Sequence, residues 1–168
     1  MREINLVFTG GTIEKIYDEV HGKIGNLGSG IERILPKLRL PYVKIHTHRV
    51  MNIDSLYMTD SHRELILKRV KELLKDGHPI VITHGTDTMV VTGKYLKEHL
   101  PNINVPIVLT GAMLPAVIEN SDGLQNLIES IFATQFLKPG IYIVFHNEVY
   151  DIDNVRKNRE KKTFERLK

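Results

Sequence analysis

Cysteine is absent from the 168 residues, which removes disulfides, thiolate nucleophiles and cysteine-based metal sites together. Long apolar runs are absent too, so no segment approaches the roughly 20 residues that a membrane-spanning helix needs. The first residues, "MREINLVF", form a run too brief and too broken by charge for the apolar core of a signal peptide. Phosphate-binding loops are missing. "GGTIEK" lacks the glycine spacing and the Lys-Ser/Thr pair of a P-loop, and Gly22, Gly25, Gly28 and Gly30 do not follow a strand as a dinucleotide fingerprint requires. "HTH" at 46 to 48 sets two imidazoles on one strand face, but with no third ligand nearby it reads as a pair of edge histidines rather than a metal site. These absences leave a cytoplasmic enzyme or binding domain, away from membranes, as the expectation.

The net charge of +3 would suit a nucleic-acid partner if it were spread over the chain, but it is not. Residues 156 to 168, "RKNREKKTFERLK", hold seven Lys or Arg against two Glu. That leaves 16 of the 23 basic and 18 of the 20 acidic residues for the remainder, which is slightly acidic. A basic terminal run of this kind reads as a solvated helix face. Only Phe164 interrupts it, and no recognisable nucleic-acid module precedes it, so no nucleic-acid partner is expected.

What is present is an alternation of apolar runs and helical patterns, with 42% apolar residues and no repeat or linker, as expected of one domain spanning 1–168. "INLVF" (4–8), "PIVIT" (79–83), "VPIVLTG" (105–111) and "GIYIVFH" (140–146) read as buried strands, and "YVKIHTHRV" alternates like a further one. Residues 14 to 30 show little periodicity and read as a loop, which at that length is functional or disordered. "IERILPKL" has helical spacing that Pro36 ends or bends. The clearest helix follows Thr59, Asp60 and Ser61, with Ser61 and Glu64 spaced as a capping box, an apolar face of Leu65, Ile66, Val70, Leu73 and Leu74, and Gly77 and Pro79 closing it. Residues 86 to 100 are helical in pattern up to Pro101, and Ser121 or Asp122 caps a helix through about Phe136.

Wholly apolar strands alternating with helices predict an α/β fold: three layers, a mostly parallel sheet with helices on both faces. Ligands bind such sheets outside the carboxyl ends of the strands. The turns after residues 8, 83 and 109 then share one edge, which brings "TGGT", "THGTDT" and "TGAM" together.

Each turn has a bland reading beside a chemical one. In "TGGT", Gly10 and Gly11 let the backbone approach a ligand closely, and Thr12 stands where a nucleophilic hydroxyl meets backbone amides. Taken alone, though, the motif is a tight turn with a capping hydroxyl. Thr86 needs a base to lose its proton, and Asp87 suits a ligand ammonium or, as plainly, a helix N-cap. A lysine nearby, desolvated, supplies the base. His84 reads as a brace behind the turn rather than a general base.

Taken together, the segments point further. "TGGTIE" and "HGTDTM" resemble the two signature motifs of the bacterial-type L-asparaginase/glutaminase family, which includes the asparaginase-like subunit of archaeal Glu-tRNA(Gln) amidotransferase. "NIDSLYMT", "LTGAMLP", "SDGLQNL" and "DIDNVRKNR" resemble further family segments in the same order, across nearly the whole chain. The resemblance implies the family's N-terminal domain fold and amide hydrolysis through a covalent acyl-enzyme. By motif position Thr12 is the implied nucleophile, and Tyr17 the counterpart of the family's lid tyrosine. Thr86, Asp87 and Lys157 form the second implied catalytic group. Ser55 and Asp54 are implied in binding the substrate α-carboxylate, Asp87 its α-amino group, and the backbone near Thr86 and Ala112 the oxyanion. Gly11 and Gly85 line the implied substrate site. The implied substrate is L-asparagine, with L-glutamine as the larger option. A homo-oligomer is implied, and no metal or organic cofactor.

Two departures bear on function. Family members carry a second, C-terminal domain, which contributes to a neighbouring subunit's substrate contacts, whereas this sequence stops soon after Lys157, so that domain is expected to be absent. Leu56 stands beside Ser55 where the family usually presents a polar side chain. Since binding energy positions the substrate, losing part of the binding shell lowers turnover as well as affinity. Two functions stay open: an asparaginase-type amidohydrolase, or a non-catalytic or partner-dependent domain that binds an amino acid or completes its site with another polypeptide.

Overall fold

The computed structural model describes residues 1–167. Its frame is a six-stranded sheet. In chain order the elements are β1 (Arg2–Gly10), β2 (Ile16–Asp18), β3 (Lys23–Gly25), α1 (Gly30–Ile34), β4 (Val43–Ile53), α2 (Asp60–Leu73) and β5 (Ile80–Thr83). They continue with α3 (Met89–His99), β6 (Pro106–Thr110), α4 (Gly123–Ala133), β7 (Gly140–Phe145), β8 (Glu148–Asp151), β9 (Val155–Asn158) and β10 (Thr163–Arg166).

The sheet order is β4-β1-β5-β6-β7-β8, parallel from β4 to β7, with β8 antiparallel at its edge. Strand period explains the layers. Ile80, Ile82, Ile107 and Leu109 face one side with Ile66, Leu67 and Val70 of α2 and Leu96 of α3. The intervening Val81 and Val108 face the other side with Ile31 of α1 and Leu127 and Ile131 of α4. Each such side chain, fully removed from water, contributes about 1.5–3 kcal/mol. This is the three-layer α/β architecture expected from the apolar runs.

Several local expectations are corrected. Residues 14 to 30 are not a featureless loop: β2 and β3 pair as an antiparallel hairpin, Tyr17 opposite Ile24. The basic C-terminal run is not a helix but the hairpin β9–β10, with Lys157 opposite Phe164. Phe164 is buried in the core and cannot lie on a solvated helix face. The capping box of α2 uses Thr59 and His62 instead of Ser61 and Glu64, and Leu65, expected on the apolar face, is 52% exposed. Helix α3 begins at Met89 after Thr88, so Asp87 is not its N-cap. Helix α4 ends at Ala133 rather than near Phe136; Asp122 precedes it without capping it, and the Ser121 hydroxyl accepts from the Gly123 amide instead.

The topology has a switch point. From β1 the chain runs outward to the edge strand β4, then returns across β1 to β5 and continues the other way. Ligand crevices form where strand order reverses, so the carboxyl ends of β1 and β5 are the place to look.

Candidate functional site

Three adjacent strands carry a buried threonine at their carboxyl ends: Thr83 and Thr110 as the last residue, Thr9 as the last but one. Their hydroxyls stitch the sheet edge. Thr9 donates to the Thr83 carbonyl (2.7 Å) and Thr110 to the Val144 carbonyl (2.8 Å). Beyond them, glycine lets the loops touch. A β-carbon on Gly11 would overlap the Gly85 backbone, one on Gly10 the Ile53 backbone, and one on Gly111 the His84 carbonyl. Gly11, at φ 81° and ψ −177°, also adopts a conformation open almost only to glycine. These contacts draw the turns after β1, β4, β5 and β6 into one cluster.

Within it Thr12 opens a short 3-10 turn, Thr12–Glu14, and is half-buried. Thr86 is buried. Lys157 Nζ reaches in from β9 and donates to Thr86 Oγ1 at 2.7 Å and to Asp87 Oδ1 at 2.9 Å. A second cation, Arg159, meets the same Asp87 oxygen at 2.6 Å. Asp54 pairs with Lys15 at 2.9 Å and accepts from the Leu56 amide at 3.1 Å. Burial works against its ionisation, yet the Leu56 amide, Lys15 and the more distant Lys157 outweigh that and hold its carboxyl below the usual range. Ser55 is 1% exposed, and its Oγ has no hydrogen-bond partner among the described residues. It packs where a β-carbon on Gly85 would stand. An unsatisfied buried hydroxyl costs about 1–3 kcal/mol. Ala112 is buried, and the Met113 and Leu114 amides after it are held by Asp122 at 2.9–3.0 Å.

The structure thus gathers Gly11, Thr12, Asp54, Ser55, Gly85, Thr86, Asp87, Ala112 and Lys157 at one end of the sheet. Tyr17 stands apart. It is 56% exposed on β2 and faces a hollow of about 590 Å³ lined by its own hairpin, Leu27 and Arg33, without Thr12 or Thr86.

His84 lies wholly inside the protein behind this turn. Its Nδ1 donates to the Gly85 carbonyl (2.8 Å) and its Nε2 accepts from the Thr92 hydroxyl (2.8 Å). Burial pushes its pKa down to about 4, so the ring is neutral at pH 7. Its folded pKa lies below the unfolded one, so its contribution is complete above about pH 6.5 and is lost as pH falls toward 4. Urea unfolding of the wild-type protein at pH 7 and pH 4.5 is therefore expected to show a larger acid loss than His84→Gln shows, by on the order of 2–3 kcal/mol. An equal loss in both proteins removes His84 as the cause.

Sequence reading missed four contributors. Lys15 and Arg159 reach the cluster through pairings 39 and 72 residues long that leave no local pattern. The carboxyl of Glu14 is buried against the Ser29 hydroxyl at 2.6 Å, and desolvation raises its pKa. His146 joins Asp122 (2.9 Å) to Thr163 on β10 (2.9 Å), tying the loop after β6 to the hairpin that carries Lys157. The one available signal was Asp122 in "SDGLQNL", read only as a cap. Among the described residues, no three or more His, Asp or Glu are grouped as a metal ion would need. Likewise no helix there is long and apolar enough to cross a membrane.

A doubly-wound α/β sheet with threonine-bearing turns at its switch point is the setting in which the family enters. The chain belongs to the asparaginase family: the family model described as "Asparaginase, N-terminal" matches residues 3–166. It is 34% identical over 141 residues to an L-asparaginase of Thermococcus kodakarensis, an alignment covering 84% of this chain and 43% of that protein. It is 31% identical to a subunit of the glutamyl-tRNA(Gln) amidotransferase of Methanococcus vannielii, over 90% of this chain and 36% of the relative. Among solved structures it superposes on the thermostable L-asparaginase from Thermococcus kodakarensis with TM-score 0.87 and 30% identity, covering 98% of this chain and 51% of that one. L-asparaginase I from Vibrio cholerae gives TM-score 0.84 at 25% identity. The chain spans about half the length of these relatives or less.

Proposed function

We propose that this chain, as one unit over 1–168, is an asparaginase-type amidohydrolase that cleaves L-asparagine to L-aspartate and ammonia, in the cytoplasm and as a homo-oligomer, with L-glutamine as a second candidate substrate. The observation that carries the reading is Lys157 on Thr86 and Asp87, at the strand ends that also hold Thr12. In this reading Thr12 Oγ1 bonds to the side-chain amide carbon, and the amide nitrogen leaves as ammonia with the hydroxyl's proton. Water then cleaves the ester, releasing aspartate and restoring Thr12. Thr86 and Lys157 relay that proton from the attacking hydroxyl to the departing nitrogen, and Asp87 orients the lysine. In this reading the Ser55 hydroxyl, without a partner among the described residues, and the Lys15 ammonium that Asp54 holds at 2.9 Å take the substrate's α-carboxylate, and the amide of Ala112 itself serves the oxyanion, since Asp122 occupies those of Met113 and Leu114. Tyr17 serves as a lid residue only if its hairpin closes. No step calls for a metal or organic cofactor.

A second reading, a domain completed by another polypeptide, is favoured by the openness of the rim, where Leu56 is 62% and Tyr57 78% exposed beside Ser55. Ammonia release from millimolar L-asparagine across roughly pH 6 to 10 tests the first reading. Release by the purified chain supports it; silence throughout, with activity only on adding a partner, selects the second.

A further inference from the structure

We propose that a hollow at the amino end of the sheet is a second binding site, which takes a small carboxylic acid with an aromatic body. The hollow holds about 470 Å³, a volume suited to a small molecule. It opens where β1 and β4 begin, at Arg2 and Val43, and beside the last turns of α4. The cluster around Thr12 and Asp54 follows the carboxyl ends of the same two strands, so the two sites stand at opposite ends of the sheet. The walls of the hollow are apolar. Leu40, Val43, Ile128 and Ile131 line it, and two rings, Tyr42 (80% exposed) and Phe132 (59%), stand open on it.

Charge selects the occupant. The charged side chains on the hollow are Arg2 and Arg39, and no acidic residue lines it. Neither belongs to an ion pair among the described residues, whereas most of the chain's arginines do. Arg2 is half-buried and makes one side-chain bond, from Nη2 to the Ile131 carbonyl at a long 3.4 Å. Its Nη1 is buried without a partner among the described residues. The Ile131 carbonyl already accepts from the Thr134 hydroxyl at 2.8 Å, so the end of α4 does not depend on Arg2. The nearest acids in sequence are committed elsewhere. Strand alternation sends Glu3 to the other face of the sheet, where His46 (2.5 Å) and Lys44 (3.5 Å) hold it. Glu129 of α4 is taken up by the Asn147 amide at 2.7 Å and by Gln125 at 2.8 Å. Burial lowers the Arg2 pKa, as expected of a guanidinium that no anion neutralises. A carboxylate supplies two oxygens in the plane that an arginine fork binds, and the open rings favour an aromatic body beside it. Two guanidinium groups repel an ammonium, so the occupant differs from L-asparagine and from amino acids in general.

Isothermal titration calorimetry of 3-phenylpropionate into the purified chain tests the site, and it reads binding whether or not the chain hydrolyses L-asparagine. The wild-type chain is expected to bind with a dissociation constant on the order of 0.1–1 mM. Replacing the acid by the uncharged 3-phenylpropanamide is expected to weaken binding by about 10-fold or more, and Arg2→Met to weaken binding of the acid as much. Ile128→Trp keeps both cations but fills the hollow, and should abolish binding, with circular dichroism confirming the fold of each variant. Lys68→Met removes an exposed cation on the other face of the sheet and should leave binding unchanged. A wild-type chain that binds no acid at about 5 mM overturns the proposal. So does equal affinity for acid and amide, or binding indifferent to both Arg2→Met and Ile128→Trp. Octanoate binding tighter than 3-phenylpropionate overturns the aromatic assignment.

Discussion

Thr12→Ala is expected to cut ammonia release from L-asparagine by about 10³-fold or more while leaving the melting temperature nearly unchanged. Thr12 is half-buried at the start of a 3-10 turn whose backbone bonds, Glu14 N to Gly11 O (3.2 Å) and Lys15 N to Thr12 O (3.1 Å), need no hydroxyl. Lys157→Met should cost a comparable factor, because Thr86 then loses the group 2.7 Å away that would take its proton. The fold should tolerate that change, since Arg159 still pairs with Asp87. If the residues act as a unit, the double variant is hardly worse than either single one. Initial rates and thermal melts on the three variants decide this. A Thr12→Ala protein retaining a tenth of the wild-type rate would sink the nucleophile assignment.

Gly11→Ala is expected to destabilise the fold by roughly 3–5 kcal/mol, lowering the melting temperature by about 10 °C, and to abolish whatever the site does. Two costs add here. A side chain at φ 81°, ψ −177° is strained by about 1–3 kcal/mol, and the new β-carbon meets the Gly85 backbone, which has no rotamer through which to move aside. Gly77→Ala separates the two. Gly77 is also left-handed, at φ 70°, but a β-carbon there has nothing within 4 Å, so it should lose only about 1 kcal/mol. Equal losses at both glycines would mean that the Gly11–Gly85 contact contributes nothing, and the turns would have to be held together by something else.

The pair of experiments separates two claims about the cluster: that its geometry depends on glycine-to-glycine contact, and that its chemistry depends on Thr12 and Lys157. The first is a property of the fold and is measurable in a protein with no activity. The second is meaningful only if the chain turns over. Reading them together distinguishes a built site that lacks a partner from a site that was never assembled.

How much of this was legible beforehand can be followed residue by residue. The runs 4–8, 79–83, 105–111 and 140–146 became β1, β5, β6 and β7, because a strand buried on both faces is apolar at every position and that signal is local. The Thr-Gly and Thr-His turns that end them, and the family they resemble, were equally local, and they fixed the fold class and the membership. The hairpins β2–β3 and β9–β10 were not legible. Their three- and four-residue strands are too short for periodicity to show, and the charges that suggested a solvated helix face are equally at home on a two-stranded ribbon. What only the tertiary structure decided is contact across long separations. Lys157 lies on Thr86 from 71 residues away, Arg159 shares Asp87, and His146 joins Asp122 to Thr163. Such pairings depend on which strands lie adjacent and how closely their backbones approach. Sequence alone set the kinds of residues at each strand end and the edge they share; the Gly11–Gly85 approach decided how closely the turns meet.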